Sequence, residues 1–144
     1  MSYKEYITAY EKTKFSEHSV KSSHDIIREL MFQLSNYLKK VAIDINDHSN
    51  ETAKFQNLSK KETAFKKSRN ISKCLSIIYG LQTSLDFDNA PEIATNLFQL
   101  YEFVRHKVIK GFSSKDATGV IQASEIICEL LSGWKDISKQ ERIS

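Results

Sequence analysis

The chain has 144 residues, 40% of them hydrophobic and 27% charged, with a formal net charge of +3. That is about one domain's worth, with enough apolar mass for a core, which excludes a disordered chain; the charge is too small to name a partner. One proline and four glycines are too few turn formers for an all-β fold.

Tyr3, Tyr6, Ile7 and Tyr10 recur at helix-like spacing near the N-terminus, followed by the polar run EKTKFSEHSVKS. Residues 1–21 read as a short helical or extended segment. An isolated helix of that length is marginal in water, so it needs a groove to dock into. MSYKEYITAYEK is too charged and interrupted for an export signal, and no apolar run approaches the roughly 18 residues of a membrane span.

A first helix is expected over 23–46. Ser22 or Ser23 can cap it, and Ile27, Leu30, Leu34, Leu38, Val41 and Ile45 form a 3–4 stripe widened by Ile26, Met31 and Tyr37. Residues 47–58 are polar and aperiodic, a loop. A second helix is expected over 59–85. Ser59 and Glu62 fit a capping box, and Ala64, Ile71, Cys74, Leu75, Ile78, Leu81 and Leu85 supply the seam, with Ile77 and Tyr79 on its flanks. Gly80 lies inside it, where close packing would account for a residue that costs about 1 kcal/mol against alanine.

The third helix, expected over 91–110, is the most apolar. Pro91 suits the first helical position, Asn89 can cap, and Gly111 can stop the helix. Ala94, Leu97, Tyr101, Val104 and Val108 form a seam, and Phe98, Phe103 and Ile109 widen the arc to roughly 240°. Such a helix is either the packed centre of a bundle, or part of a dimer, or one wall of a groove for a partner helix or extended peptide. The residues alone leave these open, and the aromatic N-terminal segment is a candidate cover for such a groove. A fourth helix is expected over 114–137, capped by a Ser113/Asp116 box, with Val120, Ala123, Ile127, Leu130, Leu131 and Trp134 as its main stripe and Ala117, Ile121 and Cys128 as a second. Residues 138–144 are a polar, flexible tail. Four amphipathic helices over 22–137 predict an all-α, antiparallel four-helix bundle with the N-terminal segment docked on it.

Chemistry is sparse. Cys74 and Cys128 sit in apolar patterns and read as core hydrophobes in a reducing cytosol. All four histidines read as surface residues, and no Glu-x-x-His pattern suggests a metal. No phosphate-cradling loop or nucleophile motif appears, so no enzyme and no cofactor are expected. The run Lys54, Lys60, Lys61, Lys66, Lys67, Arg69 and Lys73, with Phe55 and Phe65 interspersed, is a solvated helix face or, alternatively, a nucleic-acid contact. A structural bundle that dimerises through its surplus apolar face is the other alternative.

Several stretches in order resemble the flagellin-specific export chaperones of the FliS family: Ile7-x-x-Tyr10, Ser23 with Glu29-Leu30-Met31-Phe32, Ile77-Ile78 followed by Leu81-Gln-x-Ser84-Leu85-Asp86, Ile93-Ala94-x-Asn96-Leu97-x-x-Leu100-Tyr101, and Lys115-Asp116 opening a helix that ends in Trp134. The chain departs from the family pattern at His24, Gln33, Leu34 and Gly80 and in the length of its 47–58 loop. The resemblance implies a cytoplasmic bundle that binds the disordered C-terminal region of flagellin, blocks premature polymerisation and presents the subunit to the flagellar type III export gate protein. It further implies that an anti-sigma factor or co-chaperone can be a partner, and it implies neither nucleic acid nor membrane insertion, nucleotide nor metal. The expected client-binding residues are Ile7 and Tyr10, with a groove of Ile71, Leu75, Ile78, Leu97, Tyr101, Val104 and Val108.

Overall fold

Four helices account for almost all of the structure, a computed structural model that describes residues 9–10, 23–47 and 59–143, with side chains as far as 136. Helix α1 spans Ser23–Asn46, α2 Lys60–Thr83, α3 Pro91–Ser114 and α4 Thr118–Ile143. α1 packs most extensively on α4 and α2, α3 closes the ring against both, and α1 meets α3 only across the diagonal. The start of α2 lies beside the end of α1, where Asn70 donates to Asp44 at 2.8 Å, and the end of α4 lies beside the start of α1, where Trp134 donates to the His24 carbonyl at 3.0 Å. The bundle therefore runs up-down-up-down. The most surrounded helix is α1, so α3 is not the packed centre that was one reading of its apolar surplus.

The 3–4 stripes meet in one core. Ile27, Met31, Leu34 and Leu38 from α1, Ile78 and Leu81 from α2, Tyr101, Val104 and Val108 from α3, and Val120, Ala123 and Ile127 from α4 are fully buried. Each large aliphatic side chain so placed contributes about 1.5–3 kcal/mol relative to exposure. The expected seam of α2 holds at Cys74, Ile78 and Leu81 and, just past the helix, at Leu85; Ala64 departs from it by facing solvent, and of the two flanking residues Ile77 is buried and Tyr79 exposed. Cys74 is in the core, and burial pushes its thiol up to about 12; Cys128 is only partly buried.

Several boundaries differ from the sequence reading, each for a local reason. Ser59 does cap α2, accepting from the Glu62 amide at 3.1 Å. Asn89 does not cap α3. Its side-chain amide instead donates to Asp86 at 2.7 Å, and Ala90 occupies the cap position before Pro91. Gly111 does not stop α3, because the helix continues to Ser114 and ends where Lys115 takes a left-handed conformation with φ 55°. Gly111 serves close approach: a Cβ there would lie 2.8 Å from the Asp116 carbonyl oxygen and 2.8 Å from Val120. The Ser113/Asp116 box does not form. Ser113 donates to the Lys110 carbonyl within α3, and Asp116 accepts from the Thr118 amide at 3.0 Å and from the Thr118 hydroxyl, which together hold the Asp116 carboxyl below the usual range. Residues 138–143, expected as a tail, continue α4. Around Gly80 there is open space, so close packing does not account for it.

Candidate functional site

The feature that sets this bundle apart from a bare four-helix core is a dipeptide docked on it. Ala9 and Tyr10 are both buried. The Asp86 amide donates to the Ala9 carbonyl at 2.6 Å, fixing the backbone beside the α2–α3 turn. That turn is itself rigid, since the Asp86 carboxylate accepts from the amides of Asp88 and Asn89 and from the Asn89 side chain, the pattern that makes aspartate a turn former. The Tyr10 ring then enters the core. Its hydroxyl hydrogen-bonds the Tyr101 hydroxyl at 2.5 Å, and its edge meets Trp134 with centroids 5.3 Å apart at 83°. Both tyrosine hydroxyls are held well above their usual range, first of all by burial. Beyond Trp134, the His24 ring stacks on the indole at 4.4 Å and 12°. His24 is thus a packing residue rather than the surface histidine expected.

Of the expected client-binding residues, Ile7 lies outside the described residues. Tyr10, Ile78, Leu97, Tyr101, Val104 and Val108 are buried, and Ile71 and Leu75 are partly buried. Tyr10 sits directly on Tyr101. Of this set only Tyr101 is seen against the docked dipeptide; Ile78, Leu97, Val104 and Val108 lie in the common core, and Ile71 and Leu75 lie at its margin. The sequence reading missed Asp86 and Trp134 as the groups that hold Tyr10, although the Asp86/Asn89 spacing of an Asx turn is a usable signal. Phe98, Phe103 and Ile109, whose side was open, all face solvent, and Phe98 meets Phe87 edge-on at 6.0 Å. Gln82 ties α2 to α3, donating to Glu102 at 2.9 Å. Arg105, foremost, and Gln82 hold the Glu102 carboxyl below its usual range.

Among the described residues no three His, Cys, Asp or Glu side chains gather as a metal site would require. No helix among the described residues is long and apolar enough to cross a membrane.

The model of the family described as flagellar protein FliS matches residues 7–141, from the docked segment to the end of α4. The chain belongs to the FliS family. It is similar to the flagellar secretion chaperone FliSB of Pseudomonas aeruginosa, 35% identical over 47% of this chain and 54% of the relative. It also resembles the flagellar secretion chaperones FliS of Salmonella typhimurium (32% identical; 47% of this chain, 51% of the relative) and Vibrio cholerae (32% identical; 49% and 52%). The matched stretch spans about half the length of each of these curated relatives. A FliS-family bundle with a segment seated on its core is thus the frame for any reading of function, and the relatives are named as chaperones, not as enzymes.

Proposed function

We propose that this protein is a cytoplasmic chaperone that binds the disordered C-terminal region of flagellin, prevents its premature polymerisation and hands it to the flagellar type III export gate. The observation that carries the reading is the docking of Tyr10 on Tyr101. Among the described residues, Ala9 and Tyr10 are held by a backbone hydrogen bond, a hydroxyl pair and an aromatic edge, contacts that a client segment can replace, and their departure would uncover Tyr101. Ile71, Leu75, Ile78, Leu97, Val104 and Val108 are then the proposed lining of the client groove, with Ile7 and Tyr10 as its cover in the free protein. The secretion-chaperone names of the relatives support the same reading. Binding of a disordered client costs several kcal/mol of ordering, which apolar burial must exceed.

Calorimetry with the C-terminal segment of flagellin from the same organism tests it. One-to-one binding with a strongly negative heat-capacity change is expected. No heat at about ten to a hundred micromolar, near the weak end of specific association, rejects the proposal.

A further inference from the structure

The first half of α2 is the part of the bundle least explained by packing. All of the buried residues of α2 lie from Cys74 onward. Before them the helix is joined to the bundle on its inner side by polar contacts, Asn70 to Asp44 and Lys67 to the Asp47 carbonyl at 3.3 Å, with Ile71 partly buried against the core. Its outer side carries Lys61, Phe65, Arg69 and Lys73 at four-residue intervals, a row that turns by about 40° per step around the helix, with Lys66 and Glu62 beside it. Phe65 is 70% exposed, and further along the same side Tyr79 is 69% exposed. The two ion pairs among the described residues are Asp25–Arg28 and Glu102–Arg105, so none of the cations in the row is paired there.

We infer that this face is a peripheral docking surface for an anionic phospholipid bilayer. Four cations that form no ion pair among the described residues surround one solvent-facing ring and outnumber Glu62 beside them, which fits a surface that offers negative charge with hydrocarbon just behind it. A bilayer interface has that layering: lysines and arginines sit at the phosphates while an aromatic ring reaches the headgroup–acyl boundary. A nucleic-acid duplex would satisfy the cations and leave Phe65 in water. The short side chains between, Ser68, Ser72 and Ser76, are poor readers of base edges compared with arginine or asparagine. Lys61, Phe65 and Arg69 span about 80° of the helix circumference, within reach of one membrane surface. Binding is reversible, because each cation near an anionic leaflet contributes only about fivefold and a single ring inserts without a lipid anchor.

The inference does not depend on the identity of the client. The full chain is floated with vesicles of phosphatidylcholine and with vesicles containing about 30% phosphatidylglycerol, at about 0.05 M and about 0.5 M salt. At least tenfold preference for the anionic vesicles at low salt is expected, with little binding left at high salt. Lys61→Glu/Arg69→Glu should lose tenfold or more, and Phe65→Ser about threefold to fivefold. All of these side chains are exposed, so helicity, melting temperature and flagellin binding should stay at native values, and that separates this inference from the chaperone reading. Equal binding to both vesicle types, no binding by the native chain, or binding unchanged in both variants overturns it. So does salt-sensitive binding of duplex DNA in the absence of vesicle binding, which reassigns the face to nucleic acid.

Discussion

The hydroxyls of Tyr10 and Tyr101 meet at 2.5 Å across a sequence separation of 91 residues, deep inside the bundle. Neither hydroxyl could be buried there alone, since a lone buried hydroxyl costs about 1–3 kcal/mol. The pair thus makes each residue the condition for burying the other. When Tyr10 leaves, Tyr101 is exposed to whatever takes its place, and a polar atom at the floor of an otherwise apolar surface gives that replacement an orientation.

Two substitutions at Tyr10 separate cover from core. Tyr10→Ala releases the segment and lets water or client reach Tyr101. Melting should show a loss of only about 1–2 kcal/mol, and client affinity should rise by roughly five- to thirtyfold as the competing cover is removed. Tyr10→Phe keeps the ring but strands the Tyr101 hydroxyl, so it should lose part of that docking free energy, about 1 kcal/mol, with a correspondingly smaller gain in affinity of up to about fivefold. Unfolding of the Tyr10→Ala protein would make Tyr10 a core residue and not a cover.

The glycines of α2 and α3 should respond in opposite directions. Gly111→Ala places a Cβ 2.8 Å from the Asp116 carbonyl, a backbone atom that cannot rotate away, and 2.8 Å from Val120. Denaturant titration should show a loss of about 1–3 kcal/mol. Gly80→Ala meets nothing within 4 Å in mid-helix and should gain up to about 1 kcal/mol. A stabilising Gly111→Ala would show that the α3–α4 turn is slack.

Trp134 reports on the cover. It is the single tryptophan, 2% exposed, and touches Tyr10 on one side and His24 on the other. Removal of Tyr10 opens one side to water. The emission of Tyr10→Ala should therefore move to longer wavelength, and added flagellin segment should move it back as the site is covered again. An emission that neither the substitution nor the client changes would argue against exchange at this position.

The helices were legible because apolar residues recur at 3 and 4 along α1, α3 and α4, and burial is what such stripes encode. Helix ends were less so. Gly111 and Asn89 carry the composition of a stop and a cap, yet a contact from Val120 and an Asx turn at Asp86 gave them other tasks. Those partners come from across a turn, out of reach of local propensity. What the spacing could not show was depth. Tyr101, Val104 and Val108 share one helical side whether it faces core or client, and nothing in their spacing shows that Tyr10 lies on top.

The tyrosine pair also predicts alkaline weakness. Both folded-state values are raised above the ordinary 10.0, mainly by burial, so the folded protein holds protons that the unfolded chain releases. For groups raised on folding, stability is intact below the unfolded value and is lost as pH climbs from there toward the folded one. Melting temperature should thus be insensitive to this pair at neutral pH and fall from about pH 10 upward. Other groups contribute to alkaline denaturation, Cys74 among them, so the test is a difference. Tyr10→Phe/Tyr101→Phe removes both titrating hydroxyls together, and its melting temperature should fall less steeply above about pH 10 than that of the native chain. Parallel slopes would mean that the two hydroxyls stay in contact with water, and the buried pair would then not be what holds the segment in place.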